Sequence, residues 1–443
     1  MAQEGAGKKL TNFLSAFVSR TMMPQLKILD SLSLDGRLLF IGRILRMFAY
    51  GFLSIILVIY LTELRLNNYQ IGLLLTLTLV GDVFISLWLT VVADRLGRKK
   101  MLILGAALII FAGTLFALTN NIYLLILAAT IGVISPSGNE IGPFLAIEQA
   151  ALSQVCAADI RTKVFAWYNL AGSFATALGA LCSGGAVQLL KGLGFNLLSS
   201  CRMIVISYAA FGVVLSCIFY FLSSKIEVQK TQQHLKPASG IRGWLGLHNS
   251  ARVVFKLAML FALDAFAGGF VMQSIIAFWF HLRFGIEPAM LGGIFGAANV
   301  LAGCSALIAV KIAARIGLIK TMVFTHVPSN ILLIMVPFMP NAFWAVVVLL
   351  LRFSISQMDV PTRQSYTMAV VKPEERSVAS GITNVARTLG ASMSPLFLPL
   401  LLGSASTLGI CFFTAGGLKI VYDVLLYKSF KSIKPIEERT IKI

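Results

Sequence analysis

Charge is scarce in this chain. Only 12% of its 443 residues are Asp, Glu, Lys or Arg, while 58% are hydrophobic. Mean hydropathy is +0.86. A soluble protein of this length carries far more polar surface, so that class is excluded. Acid is scarcer than base, with 18 Asp and Glu against 37 Lys and Arg and a net charge of +19. In a soluble protein such an excess suggests nucleic acid. Here the positions of the charges exclude that partner, because most of the basic residues flank apolar runs. The six cysteines (Cys156, Cys182, Cys201, Cys217, Cys304, Cys411) show no paired spacing and mostly lie in apolar runs. They predict small buried side chains, with neither a disulfide framework nor a metal site. The four histidines are scattered likewise. There is no N-x-Ser/Thr sequon, Walker-type phosphate loop, HExxH, Cys-x-x-Cys or nucleophile-elbow sequence. ATP-driven pumping and enzymatic chemistry therefore find no support, and no cofactor is predicted. No short apolar core precedes a cleavage-like site, so a secretory signal is not expected at residues 1–37. Leu10, Phe13, Leu14, Phe17 and Val18 share one helical face there, beside Lys8, Lys9 and Arg20. They predict a short helix on the inner membrane surface, ahead of an organelle-targeting peptide as the second reading.

What is present is a succession of apolar runs long enough to cross a bilayer as helices of about 20 residues. Twelve are read at roughly 38–62, 69–93, 101–119, 122–153, 164–190, 203–223, 254–282, 288–313, 319–339, 342–370, 377–402 and 405–427. The turns on one face are short and poor in charge: Asn67-Asn68, Asn120-Asn121 and Pro340-Asn341. Lys and Arg gather on the other face, with Arg65, Lys191, Arg202 and Arg283 as the exceptions. That bias makes the basic face cytoplasmic, with both termini on it. It also favours contact with anionic lipid of the bilayer.

The most informative stretch is Gly81 to Lys100. It begins as an apolar run and ends in Asp94-Arg95-Leu96-Gly97-Arg98-Lys99-Lys100, five charges in seven residues, before the apolar run from Met101. This predicts a tight cytoplasmic turn, with Gly97 supplying backbone freedom and Asp94 free to cap a helix or pair with an arginine. The Asp94, Arg95, Gly97 and Arg98 pattern resembles the loop signature of the major facilitator superfamily (MFS) of secondary transporters. That pattern usually opens with a glycine four residues before the aspartate, where this chain has Thr90.

Internal similarity supports the resemblance. Arg46-Met-Phe-Ala-Tyr-Gly-Phe52 matches Asp264-Ala-Phe-Ala-Gly-Gly-Phe270 at an offset of 218. Arg95-Leu-Gly-Arg-Lys-Lys100 matches Arg315-Ile-Gly-Leu-Ile-Lys320 at 220, and Arg161 with Asn169 matches Arg376 with Asn384 at 215. Three matches in one order at nearly one offset predict a parallel repeat. The resemblance implies an all-α membrane protein of 12 transmembrane helices in two pseudo-symmetric six-helix bundles. The expected organisation is an N-terminal arm over 1–37, a first bundle over 38–223, a cytoplasmic linker over 224–252, a second bundle over 253–428 and a tail over 429–443.

Ionisable residues inside a membrane are costly and face water, a partner or a site. Arg43, Lys256 and Lys419 lie near cytoplasmic ends and are expected to snorkel to lipid headgroups. Arg387 lies about ten residues into span 11, counting from its read start, and Asp82 suits a packing bond as well as a functional one. The resemblance implies that spans 1, 4, 7 and 10 line a central cavity. Arg46, Glu140, Glu148, Asp264, Arg352, Asp359 and Arg363 fall in those spans and are the candidates for substrate binding and proton coupling. Glu140 sits in Pro136-Ser-Gly-Asn-Glu140-Ile-Gly-Pro143, too rich in helix breakers for a plain span. Asp359 and Arg363 are four apart and predict a pair on one face, either an inner gate or a substrate contact. Tyr50, Gln273, Trp279, Asn299, Gln357 and Tyr366 could line a cavity, though ordinary packing explains each. Arg46 and Asp264 occupy matching places about 12 to 15 Å deep, at 1.5 Å per residue. The repeat would set them across one cavity, as a proton-linked gate or each bonded within its own half.

The expected function is alternating-access transport of a small solute, with the proton as the expected coupling ion, by a monomer in the plasma or inner membrane. A non-transporting sensor or scaffold and a membrane-embedded enzyme are the competing classes. Span 5 lacks the proline of the Gly-x-x-x-Gly-Pro element of the family's drug exporters, which lowers a multidrug reading.

Overall fold

Polar residues between the apolar runs start the helices. Asn67, Asn121, Asn196, Asn341 and Ser404 each accept a backbone N–H from the first turn of the helix that follows. At Asn67 the bond is returned by Gln70, whose side chain accepts from the Asn67 N–H at 2.8 Å. Such caps satisfy donors that a helix start leaves open.

The computed structural model describes residues 32–140, 144–155, 161–227, 250–371, 376–401 and 403–431. The expected surface helix, most of the linker and most of the tail lie outside them. The first half of the chain contains α1 (Leu34–Ser54), α2 (Leu57–Glu63), α3 (Asn68–Leu96), α4 (Arg98–Leu118), α5 (Ile122–Ile131), α6 (Phe144–Val155), α7 (Arg161–Gly192) and α8 (Leu197–Tyr220). The second contains α9 (Ala251–Gly269), α10 (Gln273–Phe284), α11 (Pro288–Ile316), α12 (Leu318–Met335), α13 (Ala342–Ser356), α14 (Asp359–Ala369), α15 (Arg376–Met393) and α16 (Ala405–Phe430). No strand occurs among the described residues. The protein is an all-α, multi-pass membrane protein.

Among the described residues nine helical stretches are long and apolar enough to cross a bilayer, and ten with the α1–α2 pair, which bends by 45°. Expected spans 4 and 11 do not pass as single apolar helices. Span 4 is split, because the chain leaves helical geometry from Gly132 to Glu140. Span 11 carries Arg387 and passes into a 3-10 helix, Ser394–Leu400, at Pro395. Spans 7 and 10 are also interrupted, between Gly269 and Gln273 and between Ser356 and Asp359.

The helices pack in a repeated pattern. In the first half α1 packs on α7, α4 on α8 and α3 on α5; in the second α9 packs on α15, α12 on α16 and α11 on α13. Across the halves, α7 meets α11 and α3 meets α15. Without a hydrophobic drive between helices in lipid, close approach depends on small residues. A β-carbon at Gly51 of α1 would overlap the Thr176 carbonyl of α7. At Gly269, 218 positions later, it would overlap Ser394 and crowd Ala391 at the end of α15. The turn glycines repeat as well. Gly97 has φ 107° and Gly317 has φ 87°, each between two consecutive helices and 220 positions apart.

Gly51→Ala is expected to force α1 and α7 apart, at about 1–3 kcal/mol for overpacking. At Gly185 of α7 a β-carbon would have open space for 4 Å around it. Gly185→Ala is therefore expected to be neutral or to stabilise by up to about 1 kcal/mol. Thermal unfolding of the two variants in detergent checks the contrast, and equal midpoints would refute the packing account.

The polar links between halves lie toward the end with the short turns. Gln273 Nε2 donates to Ser54 Oγ at 2.9 Å, and Ser274 N donates to the Pro136 carbonyl at 3.3 Å. Lys191 Nζ lies 3.1 Å from Glu287 Oε1 at the exposed rim.

Candidate functional site

Among the described residues, buried charges gather in two clusters, one in each half. In the first, α1 carries Arg43 and Arg46 one turn apart, on one face. Arg46 Nη1 and Nη2 bond Glu148 Oε1 and Oε2 at 2.5 and 2.8 Å. Its Nε and Nη2 also bond Glu140 Oε1 at 3.0 and 2.7 Å. Such fork geometry suits arginine and no other cation. The side chains of Arg46 and Glu148 are 0% exposed, and that of Glu140 13%. Arg43 Nη1 takes the other Glu140 oxygen at 2.5 Å and its Nη2 bonds Asn169 Oδ1 at 3.2 Å. Tyr168 of α7 donates its hydroxyl to Glu148, and its ring lies 4.3 Å from the Arg43 guanidinium. Phe144 stacks 4.5 Å from that of Arg46. Two arginines and two glutamates leave this cluster neutral.

The helix-breaking stretch explains how Glu140 gets there. The chain leaves α5 at Gly132 and Gly138 takes φ 68°, so Glu140 reaches α1 from irregular backbone. Glu148 follows on α6. Gly142 and Pro143 lie outside the described residues.

The second cluster is centred on Asp264 of α9. Its Oδ1 accepts from Lys419 Nζ at 2.6 Å and its Oδ2 from Arg363 Nη1 at 3.2 Å. Arg363 Nη1 also bonds Asp359 Oδ2 at 3.0 Å, so the expected i,i+4 pair forms and is shared with α9. Arg46 and Asp264 thus occupy matching places with inverted charge: an arginine held by two glutamates, and an aspartate held by two cations.

Of the two readings of Arg46 and Asp264, this geometry agrees with the one in which each is bonded within its own half. It corrects two expectations. Arg43 and Lys419 do not snorkel. Both are buried ion-pair partners, at 5% and 8% exposure, because a carboxylate more than ninety positions away in sequence comes within reach of each. Lys256 does remain exposed. Arg352 is not brought into either cluster's contacts. Among the described residues its buried Nε has no hydrogen-bond partner, and its guanidinium lies 5.0 Å from the Phe353 ring. Asp82 accepts from Ser86 Oγ at 2.9 Å.

Sequence reasoning passed over His326 and Asp423. His326 Nδ1 lies 2.9 Å from Asp423 Oδ1, and Asn330 donates to Asp423 Oδ2 at 3.1 Å. The available signal was His326 and Asn330 one turn apart in an apolar run. Among the expected cavity neighbours, Gln273 bridges the halves and accepts from Asn299 Nδ2 at 3.1 Å. Trp279 donates to the Ala405 carbonyl, and Tyr50 and Tyr366 are fully buried.

The side chains of Asp94 and Arg95 lie outside the described residues. The turn itself is held by Glu227, whose carboxylate accepts from the N–H groups of Arg98 and Lys99 at 2.6 and 3.2 Å. A carboxylate suits these open donors and the positive helix end. Arg98 Nη1 reaches Gln154 Oε1 at 2.7 Å. Glu227→Ala is expected to cost about 1 kcal/mol and to speed tryptic cleavage after Arg98 and Lys99. An unchanged cleavage rate would count against this anchor.

Comparison with known proteins follows the same lines. The model of the family described as Major Facilitator Superfamily matches residues 39–395. An uncharacterized membrane protein of Saccharomyces cerevisiae is 28% identical, over 90% of this chain and 95% of its own. The fold resembles the nucleoside transporter NupG (TM-score 0.68, 16% identity, 90% of this chain and 99% of that one). It also resembles the xylose transporter XylE from E. coli (TM-score 0.69, 12% identity, 91% and 99%). A third likeness is to a bacterial homologue of the iron transporter ferroportin (TM-score 0.67, 13% identity, 89% and 98%).

Proposed function

Because the chain belongs to the major facilitator superfamily, we propose that it moves a small solute across a membrane by alternating access of two six-helix halves, with the proton as coupling ion. One observation carries this reading: each half buries an ionic cluster, and the two are centred on Arg46 and Asp264, which occupy matching places in the repeat. Buried charge costs several kcal/mol per ion even when paired. A membrane protein that keeps Arg46, Glu140 and Glu148 in one half and Asp264, Asp359 and Arg363 in the other uses them. Such carboxylates exchange a basic partner for a proton, which links charge state to helix position.

The two halves, joined through residues 224–252, rock about the interface where α7 meets α11 and α3 meets α15. The links at Ser54–Gln273 and Lys191–Glu287 break when the short-turn side opens. The Asp94–Arg98 turn serves this movement and not binding. Basic residues place both termini in the cytoplasm, at a plasma or inner membrane, and the unit is a monomer.

The test is a flux panel in proteoliposomes under an imposed pH gradient. Nucleosides and pentoses lead the panel, since fold neighbours carry them. Flux that follows the gradient and is lost in Asp264→Asn is expected. Flux indifferent to the gradient would remove the proton from the reading. A reconstituted, folded protein that moves nothing in the panel would favour a sensor.

A further inference from the structure

His326 sits on α12 with both ring nitrogens aimed at carboxylates. Nδ1 lies 2.9 and 3.1 Å from the Asp423 oxygens. Asn330 Nδ2 stands 3.3 Å from the same Nδ1 and donates to Asp423 at the shorter 3.1 Å; because an ionised carboxylate only accepts, we assign the ring hydrogen to Nδ1. The lone pair is then on Nε2. That nitrogen lies 3.9 Å from Asp264 Oδ1, the same oxygen that holds Lys419 Nζ at 2.6 Å. An ammonium and an imidazole nitrogen thus converge on one oxygen.

We propose that His326 is a proton-binding site of the second half, and that a proton on Nε2 draws Asp264 away from Lys419. The proposal rests on the proton-coupled reading above and deepens it. In the step, hydronium gives its proton to the Nε2 lone pair. One N–H bond forms, one O–H bond breaks, water leaves, and no electrons are exchanged.

Charged groups face His326 from several elements. In the contact set, Asp264, Asp359 and Asp423 face only Arg363 and Lys419 as permanent cations. Of the elements around α12, α16 also presents Tyr422, whose ring meets that of His326 edge-on. From farther off, Arg352 of α13 and Arg387 of α15 act on Asp264 and Asp359. Lys311 and Arg315 of α11 are exposed.

The consequence reaches the other half. Asp264 belongs to α9, which breaks after Gly269, and Gln273 at the start of α10 donates to Ser54 across the interface. A pull on Asp264 therefore acts on the segment that carries this link.

The test uses the full chain in nanodiscs, with ¹⁵N-labelled histidine. One signal, absent from His326→Gln, is expected to pass from neutral imidazole to imidazolium as the pH is lowered, over an interval that the titration itself defines. Spin labels at the exposed positions Leu96 and Ile316, with the native cysteines replaced, read the distance between the two halves. The parent's distance distribution should shift over the same interval. His326→Gln should hold the alkaline distribution throughout and His326→Lys the acidic one. Asp423→Asn keeps a hydrogen-bond acceptor for Nδ1 and is the second variant if His326→Gln misfolds; it should move the interval. A His326 signal that never changes charge overturns the proposal, as does a parent-like shift in His326→Gln or an unmoved interval in Asp423→Asn. Solute flux separates the two readings. A titrating His326 with flux indifferent to a pH gradient refutes proton-coupled transport and leaves the site. Gradient-driven flux equal in parent and His326→Gln refutes the site and leaves the transport reading.

Discussion

Arg46→Leu is expected to cost about 3–5 kcal/mol, the usual effect of removing one partner from a buried ion pair. At about 2–4 °C per kcal/mol this is roughly ten degrees or more in thermal midpoint. The size follows from what is left behind. Glu148 is fully buried, and without Arg46 it keeps the Tyr168 hydroxyl but no cation. Glu140 keeps Arg43 at 2.5 Å, so it is stranded only in part. Arg43→Leu should therefore cost clearly less than Arg46→Leu, since Arg46 still holds both glutamates. The combination Arg46→Met with Glu148→Gln removes one charge of each sign and leaves Arg43 paired with Glu140. It should recover most of the loss, as buried ion pairs replaced by matched neutral groups often do. The check is the thermal midpoint and monodisperse fraction of each variant in one detergent. An Arg46→Leu protein as stable as the parent would show that the cluster does not hold the first half together.

The cost of Arg46 was only half legible in the sequence. That it lies in an apolar run was plain, and so was the match of Arg46 to Asp264. The partner was not, because Glu140 and Glu148 lie about a hundred positions away and no local pattern records which face of one helix meets another. The repeat carried further than the pairing. Its offsets reappear in Gly51 with Gly269 and in Gly97 with Gly317, because helix contact and turn geometry are set by single small residues. Charge was misread where a general rule stood in for a partner. Near a helix end a lysine snorkels by default, and Lys419 does so only if no carboxylate is closer. Asp264 is closer. His326 went unused for the same reason. One histidine in a run of apolar residues looks like core until Asp423, 97 positions on, is seen to face it. The interruption of span 4 was signalled by proline and glycine, and it lets Glu140 reach Arg43 and Arg46 from irregular backbone, while the break in span 7 sets Gln273 against Ser54 of the other half.

Asp264→Asn is expected to have the larger effect in the second half, on stability and on flux. Asp264 holds two cations, and they do not suffer equally from its loss. Arg363 keeps Asp359 at 3.0 Å. Lys419 keeps only the Asp264 backbone carbonyl, at 3.4 Å, and its side chain is too buried to reach water in place. The stranded charge is therefore the ammonium. Lys419→Met alone removes a cation and leaves Asp264 with Arg363, a smaller disturbance. The double variant Asp264→Asn with Lys419→Met should then be more stable than Asp264→Asn alone, with a coupling energy of about 1–3 kcal/mol, in the range found for contacting residues. The same cycle on Asp359 and Arg363 should give less coupling, because Arg363 retains Asp264 when Asp359 is lost. Transport separates structure from mechanism. If Asp264 only fastens helices, the rescued double variant regains gradient-driven flux along with its stability. If Asp264 is the carboxylate that trades a cation for a proton, the double variant folds, keeps exchange at equal pH, and no longer responds to the gradient. Additive losses in the Asp264–Lys419 cycle would sink the pairing itself, and with it the placement of Asp264 at the centre of the second cluster.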